Sequence, residues 1–253
     1  MPVLFIGHGN PMNAIEKNEF SATWEQIGQS LPRPKAILAV SAHWETIGTK
    51  ITAMDQPRTI YDFYGFPPEL YAAAYPAPGS PEVADVVRGM IKLTEIKPDF
   101  SWGLDHGTWS VLYRMFPKAD IPVVQLSLDR TQEAQFHYDL GRQLQELREE
   151  GVLILGSGNI VHNLGIMAQD NDAAYDWALE FDQKVKQWIE TDDHDPLIHF
   201  QKHGKAAALA INSGEHYKPL LYAMGLKEAG EPIRFFTDKV AHGAISMRSV
   251  RIG

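Results

Sequence analysis

Val3-Leu4-Phe5-Ile6 runs directly into Gly7-His8-Gly9-Asn10-Pro11-Met12, and this junction sets the fold class. Four apolar residues in succession, closed by glycine, suit a strand buried on both faces; a strand with one wet face would alternate. Comparable runs recur at residues 36–41, 121–127, 152–155, 206–211 and 245–250, each bounded by Gly, Pro or polar residues. Helical patterns lie between them. Ser80-Pro81-Glu82 opens one with a capping residue and a first-turn proline, Thr131 opens a second that reaches about residue 150, and residues 171–190 carry a third. Strands alternating with helices predict an α/β fold of three layers, with a mostly parallel central sheet and helices on both faces, built as a single domain over residues 1–253. Residues 50–54 and 232–237 are expected as antiparallel edge strands. Residues 55–79 are rich in proline and aromatic rings, too rich for a flexible linker, and predict a structured loop with a short helix.

Composition narrows the chemistry. Across 253 residues, 44% are apolar and 22% charged, enough for a sizeable buried core. A net charge of −9 with no Lys/Arg cluster argues against nucleic acid and against anionic lipid surfaces. No apolar run approaches a membrane span and no basic leader precedes the first strand, so a cytoplasmic location is the expectation. The absence of cysteine removes thiolate nucleophiles and thiolate metal sites, leaving imidazole and carboxylate as metal ligands.

In a parallel α/β sheet, ligands bind beyond the carboxyl ends of the strands, and histidines fall there repeatedly. His8 follows the first run between two glycines. His43 follows the second in Ser41-Ala42-His43-Trp44-Glu45. His162 lies beyond residues 152–155 in Gly158-Asn159-Ile160-Val161-His162-Asn163, and His216 beyond residues 206–211 in Glu215-His216-Tyr217. Several neutral imidazoles together ligate zinc or ferrous iron well, and three protein ligands leave positions open for incoming molecules. Each histidine alone is equally compatible with a hydrogen-bonded loop residue. Glu45 and Glu215 are candidates for orienting the ligands, with Glu215 also an alternative ligand to His216. His106, in Asp105-His106-Gly107-Thr108-Trp109, is better placed for acid–base work or substrate contact than for ligation. The rings between Tyr61 and Phe66 suit either a planar-substrate pocket or ordinary core.

Other features carry less. His199 and His203 stand four apart but lack the Glu of a His-Glu-x-x-His motif and suit a solvated helix. His137 and His194 suit helix surface or packing, and His242 is undecided. Gly156-Ser157-Gly158 is not followed by the third small residue of a dinucleotide loop, and no Walker loop or Gly-x-Ser-x-Gly elbow is present.

Six motifs occur in order: Gly7-His8-Gly9-Asn10-Pro11-Met12, Ser41-Ala42-His43-Trp44, Tyr75-Pro76-Ala77-Pro78-Gly79, Asp105-His106-Gly107-Thr108-Trp109, Gly158-Asn159-Ile160-Val161-His162-Asn163 and Glu215-His216-Tyr217. Together they resemble the bacterial and plant DOPA 4,5-dioxygenase extradiol family, within the class III extradiol ring-cleavage enzymes. The resemblance runs nearly to the end of the chain, at Ser246-Met247-Arg248-Ser249-Val250. It implies one divalent metal ion, Zn(2+) or Fe(2+), on His8, His43 and His216, with His162 either joining the metal set or acting as acid–base catalyst. It implies contact with substrate or proton transfer for His106. The implied reactants are a small aromatic catechol such as DOPA and O2, and the implied reaction opens the ring beside the two hydroxyls. His216 stands where many of the wider class III enzymes supply a carboxylate, which leaves the site more positive and argues for zinc over iron. Two rival readings use the same residues: a zinc hydrolase that activates water, and a non-catalytic binding relative.

Overall fold

The computed structural model describes all residues from Met1 to Gly253. Ten strands are present: β1 (Val3–Gly7), β2 (Ala36–Thr46), β3 (Thr49–Thr52), β4 (Ile96–Asp99), β5 (Val123–Asp129), β6 (Val152–Gly158), β7 (Ile233–Phe236), β8 (Val240–Ala241), β9 (Ile245–Ser246) and β10 (Ser249–Ile252). The helices are α1 (Glu19–Ser30), α2 (Pro68–Ala72), α3 (Pro81–Met90), α4 (His106–Met115), α5 (Ala134–Arg142), α6 (Gln145–Glu149), α7 (Asp176–Glu190), α8 (Asp195–Ile198), α9 (Gly204–Ala210) and α10 (Lys218–Gly225). Eight strands form one sheet in the order β4-β3-β5-β2-β6-β1-β10-β7, while β8 and β9 pair separately. The central run β5-β2-β6-β1 is parallel throughout. Antiparallel pairs flank it, β3 with β5 on one side and β10 with β1 and β7 on the other. The sheet is mixed and mostly parallel at its centre, as the alternation of strands and helices predicts.

Each central strand is buried on both faces, and its residues divide between two apolar clusters. Val3 and Phe5 face a core built with α3, α5, α7, α9 and α10; Leu4 and Ile6 face a second core with Trp24 of α1 and Val111, Leu112 and Met115 of α4. Two-sided burial is why the strands read as continuous apolar runs. Helix starts are capped where the sequence offers the side chain. Ser80 Oγ accepts the Val83 N–H at 3.2 Å, and Asn18 and Ser21 form a reciprocal cap on α1. No helix is long and apolar enough to cross a membrane.

Several expectations need correcting. Residues 206–211 are not a strand: Ala206, Ala207 and Ala210 bury one face of helix α9, where alanine has the highest helix propensity and little β preference. The run 245–250 is broken, with β9 leaving for β8 and β10 joining the main sheet. The helix expected from Thr131 to about residue 150 begins at Ala134 and divides into α5 and α6, and the one expected over 171–190 begins at Asp176. Residues 50–54 contain β3, which is antiparallel to β5 but not an edge, because β4, unpredicted, pairs with it in parallel. Residues 232–237 hold β7, an antiparallel edge strand as expected. Residues 55–79 hold a structured loop and the short α2. Helices α1, α4, α8 and α10 were not anticipated.

Asp99 ends β4 and ties the turn that follows. Its carboxylate accepts the backbone N–H groups of Ser101 and Trp102 at 2.9 and 2.8 Å, the Ser101 hydroxyl at 2.8 Å and the Lys50 ammonium at 3.1 Å. Burial alone would raise this carboxyl, but those four bonds outweigh it and hold it down from 3.8 to about 2. A carboxyl depressed in the folded state stabilises above its unfolded pKa and loses that contribution as pH falls through the folded value. Asp99→Asn is therefore expected to lower stability by about 1–2 kcal/mol at pH 7. In urea titrations the deficit should shrink between pH 4 and 2; a deficit constant over that range would contradict the ionic origin.

Candidate metal centre

The site lies where the parallel strands end. Gly7 of β1 pairs with Gly158 of β6, and Ser41 of β2 with Ser157, so His8 and the Ser41–Trp44 segment leave the sheet side by side. Between Val40 and Glu45 the β2–β5 register slips, because residues 41–44 of β2 oppose only Ser127 of β5. Such a bulge re-aims side chains, and here it coincides with a His43 ring whose centroid is 5.0 Å from that of His8. His216 arrives differently, on the loop between α9 and α10. That loop crosses β6 so closely that Asn159 N–H donates to the His216 carbonyl at 2.8 Å, and a Cβ at Gly158 would collide with the same oxygen. His106 is the first residue of α4, whose cap Asp105 accepts the Thr108 N–H.

His8, His43 and His216 each offer a ring nitrogen within 4.8 Å of the others. The hydrogen bonds decide which nitrogen. Ser157 Oγ spends its proton on the Gly107 carbonyl at 2.5 Å, so it accepts from His8 Nδ1 at 2.9 Å and leaves His8 Nε2 a lone pair. Glu215 Oε1 can only accept, so His216 Nδ1 donates to it at 2.8 Å and Nε2 is again the free nitrogen. His43 turns Nδ1 toward Asp62 Oδ2 at 3.6 Å and brings Nε2 to 3.0 Å from His8 Nε2. His8 Nε2 carries a lone pair, and the His43 Nε2 that far from it suits a shared cation with bonds of about 2.1 Å. His216 Nε2 is buried without a hydrogen-bond partner, and buried polar nitrogens are rarely left so. A cation among the three rings would satisfy all of these nitrogens, so the donor set fits a divalent metal.

The electrostatics agree with that set. Burial first, then the neighbouring imidazoles, hold His8 and His43 well below the usual histidine range. Burial lowers His216 despite its bond to Glu215, and burial with His216 beside it brings His162 down to about 3. All four rings are neutral at physiological pH, the form in which imidazole binds metal. Glu215 is held down to about 2, where hydrogen bonds from His216 and Ser213 outweigh its own burial.

The structure gathers all five singled-out histidines. His106 lies 3.9 Å from His43, centroid to centroid, and 5.6 Å from His8. His162 stacks on His216 at 3.4 Å with planes 8° apart. Its nitrogens group with those of Glu215 and His216 rather than with His8 and His43. Glu215 orients His216, whereas Glu45 pairs with Lys218 at 3.5 Å. The other histidines are elsewhere. His137 is buried against Tyr222, His194 bonds Tyr138, and His242 ties a loop through its backbone. His199 is solvated, but it and His203 do not share a helix, and His203 packs on Trp188 at 4.4 Å.

Two carboxylates here were missed. Asp62, on the aromatic loop, meets both His43 and His106. Its only sequence signal is a lone acid among rings, in Tyr61-Asp62-Phe63. Asp105 is fully buried, bonded to Ser41 Oγ at 2.7 Å and to the Gln125 amide. Burial, followed by the nearby Asp62, raises it to about 6. Phe63 packs edge-on to His106 and, with Tyr61, Phe66, Tyr71 and Trp109, forms an aromatic wall beside it.

Comparison with known proteins agrees with this geometry. Residues 3–252 match the family described as the catalytic LigB subunit of aromatic ring-opening dioxygenase. An Escherichia coli K12 protein named 4,5-DOPA dioxygenase extradiol is 45% identical over 258 aligned positions, covering 100% of this chain and 95% of that protein. A Beta vulgaris protein of the same name is 39% identical and covers 90% of this chain and 86% of its own length. A crystal structure of an uncharacterised E. coli K12 protein superimposes with a TM-score of 0.88 at 42% identity, covering both chains completely. A histidine cluster at the carboxyl ends of β1, β6 and β2, on a chain matched almost end to end, leads to one conclusion: the protein belongs to the LigB family and is an extradiol ring-opening dioxygenase.

Proposed function

We propose that the protein opens the ring of catechols such as DOPA by 4,5-extradiol cleavage with O2, using one divalent ion, Fe(2+) or Zn(2+), held by His8, His43 and His216. The observation that carries this reading is the convergence of three neutral Nε2 atoms whose opposite nitrogens meet Ser157, Asp62 and Glu215. A ferrous ion held by His8, His43 and His216 would supply redox chemistry between a catechol and dioxygen.

The chain's own residues do the remaining work. His162 is proposed as an acid–base group rather than a fourth ligand, since a ring stacked flat on His216 points its nitrogens alongside that ligand's plane instead of toward the same centre. His106 is the second proton carrier, presented from the start of α4. Opening the ring of a catechol requires protons to leave its hydroxyls and one to return to the product, and two neutral imidazoles on different elements are placed to accept and pass them on. Phe63 and its neighbouring rings provide an apolar surface that fits a planar substrate and excludes water from its face. The test is oxygen consumption with a panel of catechols, using protein loaded anaerobically with iron or with zinc. Uptake of one O2 per DOPA by the iron form, with a yellow semialdehyde product, is expected; no uptake with any catechol on either metal would overturn the proposal.

A further inference from the structure

Asp62 is the one carboxylate that touches two members of the histidine cluster, and its two oxygens are divided between tasks. Oδ1 accepts the backbone N–H of His106 at 2.8 Å, while Oδ2 accepts from His106 Nδ1 at 2.9 Å and lies 3.6 Å from His43 Nδ1. An ionised carboxylate cannot donate, so the short contact requires the proton on His106 Nδ1 and leaves Nε2 as the lone-pair nitrogen. His106 Nε2 has no hydrogen-bond partner in the chain and is not among the sealed polar atoms, so an incoming molecule can reach it.

The loop carrying Asp62 is fixed by the two residues just before it. Ile60 N–H donates to the Leu104 carbonyl at 2.8 Å, Trp109 Nε1 donates to the Ile60 carbonyl at 2.9 Å, and Tyr61 Oη donates to the Ala73 carbonyl at 2.8 Å. The backbone of Asp62 is open to solvent, but its side chain is only 17% exposed because it points back at the imidazoles. The bond to His106 N–H also holds the first residue of α4 in place, so the carboxylate sets where the ring sits as well as how it is protonated.

We infer that Asp62 is a positioning residue that locks His106 with its proton on Nδ1, so that Nε2 faces the substrate as a proton acceptor. The inference rests on the proposed acid–base role of His106 and deepens it. The same three groups, His43, Asp62 and His106, are near enough to hold a cation themselves. Positioning is favoured because each contact of Asp62 with His106 has hydrogen-bond length and a donor already in place.

The discriminating variant is Asp62→Asn. Its amide oxygen can still accept from His106 N–H, but its NH2 would face Nδ1 and drive the proton to Nε2, reversing the ring. ¹⁵N NMR of zinc-loaded protein reads this directly, because protonated and lone-pair ring nitrogens have distinct shifts, and the measurement needs no turnover. Native protein should show His106 protonated at Nδ1, and Asp62→Asn should show it at Nε2. With zinc held at saturating concentration, metal content should stay near one ion per chain, with kcat lower by about 10–100-fold and KM within about 3-fold on whichever catechol the native enzyme consumes. Asp62→Glu should keep the native ring state and recover part of kcat. An unchanged tautomer in Asp62→Asn would overturn the inference. Loss of the metal even at saturating zinc would make Asp62 a ligand, and a rise in KM at constant kcat would make it a substrate contact; either result also overturns it. If the native protein consumes no catechol, the proposed function fails while the NMR experiment still decides the role of Asp62.

Discussion

His43→Ala is expected to leave a folded protein that no longer retains a stoichiometric metal ion. His43 sits in the bulge of β2 with its ring 20% exposed at the mouth of the site, so its removal takes little from either apolar core. What it takes is one of three converging lone pairs. Loss of an outer partner alone lowers metal affinity by about 10–100-fold, and deletion of the ligand itself should exceed that. After dialysis against a weak chelator, metal analysis should fall from about one ion per chain to less than about a tenth, with oxygen uptake lost in proportion. Far-ultraviolet circular dichroism should be unchanged. His106→Ala is the paired comparison, expected to hold its metal and to turn over slowly. Full metal occupancy in the His43 variant would remove His43 from the ligand set.

The largest effect on stability is expected at Arg248. Its guanidinium donates to Asp182 Oδ2 through Nε at 2.9 Å and Nη2 at 2.5 Å, and through Nη1 to Asp238. The Arg248 and Asp182 side chains are 6% and 5% exposed, and the only other group bonded to Asp182 is the Ser246 hydroxyl. A buried pair of this kind contributes little over an apolar replacement, but breaking it strands a charge. Arg248→Ala should cost about 3–5 kcal/mol, and a chain of this size should melt about 10 °C lower. The double variant Arg248→Met with Asp182→Leu removes both charges and should recover most of that loss in a thermal melt. Equal destabilisation of the single and double variants would assign the effect to lost packing instead.

The sheet was legible because its central strands are buried on both sides, which prints them as unbroken apolar runs. The same rule failed at residues 206–211, where alanine satisfies an apolar count but forms a helix, and at residues 245–250, where one apolar stretch serves two sheets. Helix α4 was hidden because all but two of its residues are buried, so it lacks the polar stripe that marks a surface helix. The histidines were legible as positions after strands. For His216 the strand was wrong and the position right, since the loop after α9 delivers it to the same end of the sheet. Asp62 was not legible. Its partners lie across the fold, and nothing local distinguishes an acid that orients a ring from an acid that faces water.

The strand order also governs when during synthesis the histidine cluster can assemble. The first strand made, β1, lies between β6 and β10 and has no neighbour in the sheet until the ribosome has produced roughly the first 160 residues. His216 emerges later still. A nascent chain therefore exposes His8 and His43 before the framework that gathers them with His216 exists. The three-histidine cluster is thus a feature that only late synthesis can complete.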